Sequence, residues 1–447
     1  MKPTPATKRG STFPYPVDKN LVQRASALSK GRHVMKLEFV RPVPKQPTIC
    51  APSAAKRWVL GVLAVGIMLA TLRVLAQTRA ILSNPVQQDS AQSDWTQFHK
   101  PNMRRWNAVE NVLGVNNVGT LQLKWYYTTG DSVYSSPAVA NGVVYIGSFD
   151  NNLYALDAGT GALLWSFTTG GQVYSSPAVA NGIVYVGSQD STLYALDAGT
   201  GAKVWSYTTG AGVFSAPAVV DGVVYVGSED TKVYAFDAST GQKLWSYATG
   251  DAVDSSPAVL NGVVYVGSDD GKVYALKASN GKKLWSHPTA DFVESSPAIA
   301  NGVVYVGSAD GNFYAFKAST GAKLWSYALT DCPNGACFVT CSPSVVNGVV
   351  YFAGNTGDMY ALNASTGAVL WSTIVSDSAE NSSAPAVANG VLYVGSLDGN
   401  VYALDASTGA ILWSFLVGNW VVSSPVVSNG VVYVGARADY VIAFGLD

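Results

Sequence analysis

Regularly spaced carboxylates are the first candidates for chemistry in this sequence. Asp150, Asp190, Asp230, Asp270, Asp310 and Asp398 each stand in a GS-x-D stretch, and a carboxylate beside a tight turn can ligate calcium. A calcium loop gathers several oxygen ligands in one turn, however, whereas here one carboxylate per turn is followed by Gly, Asn, Ser or Thr. That is the composition of a capped hairpin turn, so these aspartates are read as structural. The only histidines, His33, His99 and His287, are scattered through unrelated contexts and offer neither a metal cluster nor a His-based triad. Of the four cysteines, Cys50 stands apart, and Cys332, Cys337 and Cys341 follow at spacings of five and four without histidine partners, a poor zinc or haem pattern. A Cys332–Cys337 bridge closing the Pro333-Asn334-Gly335 turn is the expected use, with the pairing open until geometry is known. The many glycines form no Walker or Rossmann pattern in the right context. No metal site and no catalytic constellation is expected.

The elements that hold these residues repeat. Trp125, Trp165, Trp205, Trp245, Trp285 and Trp325 are spaced at 40 residues, and Trp371 and Trp413 follow at 46 and 42. Each unit reads as four short Val- and Tyr-rich runs separated by turns, with no helical period, which selects a propeller over a helical array. Asn-Gly or Asp-Gly joins the first two runs in all eight units, the pair suited to a two-residue hairpin with positive φ at both positions. The third and fourth runs are joined seven times only, from Thr160-Gly161 to Thr408-Gly409, because the last unit stops after its third run. Leu121 to Thr129 has the fourth-run pattern and no preceding runs. The expected fold is therefore all-β: an eight-bladed β-propeller of four-stranded blades, spanning residues 120–447, with the N-terminal strand closing the ring and hiding its edges.

The motif LDA-x-TG-xxx-W, seen at Leu156 to Trp165 and Leu404 to Trp413, resembles the tryptophan-docking motif of pyrroloquinoline quinone-type propeller repeats. The lead-in Asp94-Trp95-Thr96-Gln97-Phe98-His99 also resembles the opening of bacterial members of that superfamily, which includes outer-membrane β-barrel assembly lipoproteins and quinoprotein dehydrogenases. The resemblance implies that the eight tryptophans wedge between blades as core, each burying ~200 Å² for up to about 5 kcal/mol before entropy. It leaves two classes of function open, because this fold carries both enzymes and scaffolds. The leading expectation is a non-catalytic binding module for a protein or glycan with no cofactor, and the alternatives are a dehydrogenase using pyrroloquinoline quinone with calcium, or an adhesion or sensory ectodomain. Enzymes of the alcohol-oxidising kind place adjacent cysteines over the cofactor, and this sequence has no such pair. Near-identical blades also supply one environment repeatedly, where a catalytic site needs different groups in different places.

Differences between units point to where a ligand would sit. Four residues before each repeat proline stands Val in seven units of eight, Asn381 being the exception. The positions on either side vary: Tyr134, Tyr174, Phe214, Asp254, Glu294, Thr340, Ser382 and Val422 three before the proline, and Ser132, Gln172, Gly212, Ala252, Phe292, Phe338, Glu380 and Trp420 five before it. Period-two alternation puts both sets on one side of a strand. In the family this strand is innermost, so the resemblance implies that Tyr134, Tyr174, Phe214, Asp254, Glu294, Phe292, Phe338, Glu380 and Trp420 face a mouth of the central funnel.

Charge and hydropathy divide the chain. Residues 1–57 carry twelve Lys/Arg against Asp18 and Glu38, and are expected to be a disordered cytoplasmic tail. Residues 58–76 are apolar apart from Arg73 and follow Lys56-Arg57, the pattern of a transmembrane signal-anchor helix with the downstream chain extracytoplasmic. A cleavable signal peptide ending at Ala76 is the competing reading. Residues 77–119 are a linker and lead-in. After residue 76 there are 15 basic against 27 acidic residues, which speaks against a nucleic-acid partner.

Overall fold

The computed structural model describes residues 94–98, 105–330, 332, 337–376 and 383–447. The tail 1–57 and the apolar segment 58–76 lie outside the described residues. Among the described residues no helix is long and apolar enough to cross a membrane. Eight antiparallel sheets of four strands form the blades of a propeller, the seventh carrying a fifth, parallel strand from the lead-in. Blade one runs Ala138–Ala140, Val143–Gly147, Asn152–Asp157 and Leu163–Thr168 from the channel outward, and the pattern recurs around the ring. The two middle strands of each blade are buried on both faces between neighbouring blades, which is why they read as nearly continuous apolar runs. The fourth strand alternates exposed and half-buried positions.

Three local rules repeat. The first hairpin turns through Asn141 (φ 51°) and Gly142 (φ 75°), and a Cβ on Gly142 would meet nothing, so positive φ alone selects this pair. A Cβ on Gly147 would instead lie 2.3 Å from Cγ1 of Val173, so the glycine of GS-x-D makes room for the valine of the next blade. Each repeat tryptophan donates its indole N–H to a carbonyl of the following blade, Trp165 to Ala198 at 2.9 Å and Trp205 to Ala238 at 2.9 Å. The ring of Trp165 rests where a Cβ of Gly201 would be, which ties the Thr-Gly turn of one blade to the tryptophan of the last. The GS-x-D aspartates act within the turns: Asp150 accepts from the Gly130 N–H at 2.6 Å and from the Tyr154 hydroxyl, and Asp190 does the same with Gly170 and Tyr194.

The ring closes as the strand arithmetic requires. Gln122–Thr128 pairs antiparallel with Tyr440–Gly445, with Trp125 opposite Ala443, to complete the eighth blade. The lead-in packs inside the channel. Trp95 bridges Val139 of blade one, the Thr96 carbonyl accepts from Val179 N–H of blade two, and the Gln97 side chain accepts from Val219 N–H of blade three. Trp106–Asn107 then runs parallel to Ala386–Ala388 of blade seven. Arg105 is fully buried and donates to the carbonyls of Phe98 (2.7 Å), Pro425 (2.9 Å) and Pro385 (3.2 Å). Its guanidinium lies 4.6 Å from the Phe98 ring centre and 5.4 Å from that of Trp95. Burial pulls its pKa down to about 9, which leaves it charged at neutral pH.

Candidate functional site

With the lead-in seated in the channel, the central space is a funnel open at one end, with a cavity of about 430 Å³. Its floor is Phe98 and the small residues Ser136, Ser176, Ala216, Ser256 and Ser424. These serines are fixed by a circumferential network: Ser136 N–H donates to Ser176 Oγ, Ala216 N–H to Ser256 Oγ, and Ser424 N–H to Ser136 Oγ, each at 2.9 to 3.0 Å. A second ring below runs through Ser135, Ser175, Ser255 and Ser295, whose hydroxyls donate to carbonyls of the next blade. Cys341 takes that place in blade six, fully buried, its thiol pKa pushed up to about 12 by burial. The Sγ atoms of Cys332 and Cys337 are bonded to each other, with Cα atoms 5.2 Å apart.

The wall brings together Tyr134, Tyr174, Phe214, Asp254, Glu294, Thr340 and Val422, seven of the eight residues three before each proline, while the eighth, Ser382, lies outside the described residues. The residues five before it do not line the cavity. Phe292, Phe338 and Trp420 stand at the rim, 48%, 38% and 42% exposed, and Glu380 lies outside the described residues. The expected alternation fails because this stretch is not a strand; the innermost strand begins only at Ala138. Before it, the Ser132 carbonyl accepts from Phe149 N–H and the Phe292 carbonyl from Ala309 N–H, so the fifth position is held against the GS-x-D turn instead of facing the axis.

That same turn supplies residues the sequence reading missed. The variable position of GS-x-D is Phe149, Glu229 and Asp269 in blades one, three and four, and Arg437 takes the same place in the Gly435-Ala436 turn of blade eight. Phe149 stacks on Tyr134 at 4.3 Å, Tyr134 meets Tyr174 at 5.0 Å, and Tyr174 meets Phe214 edge-on at 5.3 Å, giving a continuous aromatic arc over blades one to three. Arg437 extends it, 4.4 Å from the Trp420 ring centre and 5.2 Å from that of Tyr134. Glu229 and Asp269 join Asp254 and Glu294 in an acidic arc over blades three to five. Burial, with the charges of Asp269, Glu229 and Glu294 added, pushes the Asp254 carboxyl up to about 7. Burial, with the charges of Glu294, Asp251, Asp270 and Glu229 added, raises Asp269 to about 6. A signal for these residues was present, since the x of GS-x-D varies between blades as freely as the position before SSP.

The donor set does not suit a planar polycarboxylate such as pyrroloquinoline quinone. The ionisable acids around the cavity are carboxylates already crowding one another, Arg105 has spent its donors on backbone carbonyls beneath the floor, and Arg437 is stacked at the rim. Among the described residues no three His, Cys, Asp or Glu stand close enough to hold a metal ion.

Solved structures with the same architecture include BamB from Moraxella catarrhalis (TM-score 0.63, 19% identity, covering 73% of this chain and 100% of that one). The computationally designed Ika8 protein gives a TM-score of 0.64 at 22% identity, with 73% and 100% covered. Quinohemoprotein alcohol dehydrogenase ADHIIG from Pseudomonas putida HK5 gives 0.68 at 19% identity, with 79% and 80% covered. At these identities the likeness shows the fold alone. No curated protein matches the sequence significantly. The family model PQQ_2, described as outer membrane protein assembly factor BamB, matches residues 92–256, 230–384 and 376–447, spanning the entire propeller, and the chain belongs to that family.

Proposed function

We propose that this protein is a membrane-anchored, extracytoplasmic scaffold that captures a polypeptide segment in its one-ended funnel and performs no chemistry on it. One observation carries the reading: on a ring whose core repeats almost unchanged, the mouth differs from blade to blade, with an aromatic arc beside an acidic arc. Rigid aromatic side chains supply most of the energy at binding hot spots, and half-buried carboxylates select a basic side chain and steer its approach. The BamB family description adds coarse support for a protein partner. A glycan with apolar and cationic features is the second ligand class the arcs suit. For the quinoprotein alternative, the crowding of carboxylates works against a polyanionic cofactor.

The test is a photocrosslinking amino acid at Thr340 in the wall, with Ser166 on an outer strand as control. A polypeptide captured from membranes at Thr340 and not at Ser166, and lost in Tyr174→Ala with Phe214→Ala, supports the reading. Stoichiometric uptake of the quinone with calcium, giving a stable cofactor spectrum and dye-linked alcohol oxidation, would overturn it.

A further inference from the structure

The turns between third and fourth strands cluster with the Asn-Gly hairpins on the face opposite the mouth, since Ala158 N–H donates to Gly142 and Ala278 N–H to Gly262 across the two turns. In blades one, two, three and seven the third strand ends in Asp157, Asp197, Asp237 or Asp405, whose carboxylate organises the turn. Asp157 Oδ1 accepts from the backbone of Gly159 and Thr160 and from the Thr160 hydroxyl, at 3.2, 2.9 and 2.8 Å. Blades four and five carry Lys277 and Lys317 instead. Their turns keep the same backbone path, with Gly281 N–H donating to Lys277 and Gly321 N–H to Lys317 at 2.8 Å, but a lysine side chain can accept none of the capping bonds. Among the described residues neither lysine makes an ion pair or a side-chain hydrogen bond, and their turns lack the caps the aspartates supply.

They are not alone. Lys282, Lys283 and Lys323 flank the same turns, all five are exposed, and no carboxylate occurs in residues 258–266, 274–286, 298–306 or 314–326, which form this end of the two blades. Between the lysines stand Leu284 and Leu324, 51% and 50% exposed. No Arg and no exposed aromatic ring accompanies them, so the means of gripping nucleic acid by stacking are missing. Lysines interleaved with exposed leucines are the chemistry of an interface with anionic lipid, ammonium groups on headgroup phosphates and apolar side chains among the upper acyl carbons. The chain also enters the propeller on this face: Asp94 Oδ2 accepts from the Asn141 N–H in the hairpin turn of blade one, and seventeen residues, 77–93, separate it from the apolar segment.

We infer that the turn face of blades four and five docks on an anionic bilayer surface, so that the propeller sits turn side to the membrane with its funnel opening away. This rests on the anchored reading above. It commits to a lipid surface, and an acidic protein is the competing occupant.

The test uses the full chain in liposomes of phosphatidylcholine alone and with about one quarter phosphatidylglycerol, read by amide hydrogen exchange. Exchange over residues 277–286 and 317–326 should slow about five-fold or more in the anionic liposomes, and residues 157–166 should not change. Lys277→Asp with Lys317→Asp installs the residue the other turns carry, so the variant should fold at least as well, and it should lose the protection. Because the basic tail 1–57 can also hold anionic vesicles, the local readout and this variant decide the matter, not flotation. Equal exchange in both lipids, or protection by added polyglutamate and not by anionic lipid, would overturn the inference. Failure to co-float with neutral liposomes would instead remove the anchor, while lysine-dependent protection on anionic vesicles would still stand.

Discussion

The interface between blades one and two and the interface between blades seven and eight are built from the same residues and differ in one covalent link. In the first, Trp165 Nε1 and the Tyr145 hydroxyl both donate to the Ala198 carbonyl, at 2.9 and 3.0 Å, in a turn that joins two strands of one blade. In the second that turn does not exist, because the eighth blade takes its outer strand from Gln122–Thr128. Trp413 finds the Leu121 carbonyl at 3.0 Å, but the Tyr393 hydroxyl, completely buried, finds no partner among the described residues. The short 3-10 turn Val118–Thr120 and Leu113 fill the space with apolar packing. Glu110 fastens the same stretch by accepting from Gly430 N–H at 3.1 Å. Closing a ring with a distant strand thus preserves register and the tryptophan's hydrogen bond, and sacrifices the tyrosine's together with the Thr-Gly turn on which the tryptophan would rest.

The largest effect should come from undoing that closure. Removing residues up to 130 exposes Tyr440–Gly445 as an open edge and also takes the lead-in out of the channel, so aggregation during refolding is expected, measured by light scattering. Trp125→Ala, on the closing strand, should cost about 3–5 kcal/mol in urea unfolding. The half-exposed Trp413 at the seam, with no Thr-Gly turn to rest on, should cost clearly less. Equal losses at the two positions would mean the seam is as well packed as an ordinary interface.

Next in size is Arg105. Its Nε and both terminal nitrogens donate to carbonyls of Phe98 and of blades seven and eight. Arg105→Met roughly keeps the volume and removes one donor from each carbonyl, of which Pro385 keeps a second from the Ser344 hydroxyl at 2.6 Å, for an expected loss of about 2–4 kcal/mol. Arg105→Lys should fall between, since an ammonium lacks the planar fork that reaches separate carbonyls. A melting temperature unchanged in the Met variant would show that water replaces the guanidinium.

The two faces of the ring offer a smaller contrast of opposite sign. Asp237, in a turn, is held down at about 2 by hydrogen bonds from Ser239 and Thr240, so its share of stability is present above its ordinary pKa and lost as pH falls toward 2. Asp254, in the wall, is raised to about 7, so the folded state binds its proton more tightly than the unfolded chain does. Stability should therefore fall as pH rises from about 4 to 7. Asp254→Asn should flatten that part of the curve, and a basic peptide bound in the funnel should bind better at pH 8 than at pH 5.5. A wild-type curve already flat between pH 4 and 7 would mean that Asp254 is solvated in solution.

What the sequence made legible follows from this division. Blade number, strand count and closure were readable because each obeys a local rule repeated along the chain, and a missing repeat is as informative as a present one. The wall was half readable. Tyr134, Tyr174, Phe214, Asp254 and Glu294 were found because a single variable position marks them, whereas Phe149 and Arg437 pack against Tyr134, and Glu229 and Asp269 act on Asp254, from another turn behind the lining. Phe292, Phe338 and Trp420 were placed in it by an alternation that applies only within strands. The lead-in was least readable, since Trp95 to Asn107 repeats nothing and most of its partners are backbone atoms of five different blades.

The finest test of the seam compares two hydroxyls. Tyr185 and Tyr393 occupy equivalent places in blades two and seven and are equally buried. The Tyr185 hydroxyl donates to the Ala238 carbonyl at 2.9 Å. Tyr185→Phe removes that bond but leaves Ala238 its second donor, Trp205, so the loss should be about 1 kcal/mol. Tyr393→Phe removes a hydroxyl that folding takes out of water without return, and should leave stability unchanged or raise it slightly. Urea unfolding of the two variants side by side resolves a difference of this size. If Tyr393→Phe lost as much as Tyr185→Phe, a buried water would have to bridge its hydroxyl to the polar groups of the lead-in, and the seam would be fully satisfied after all.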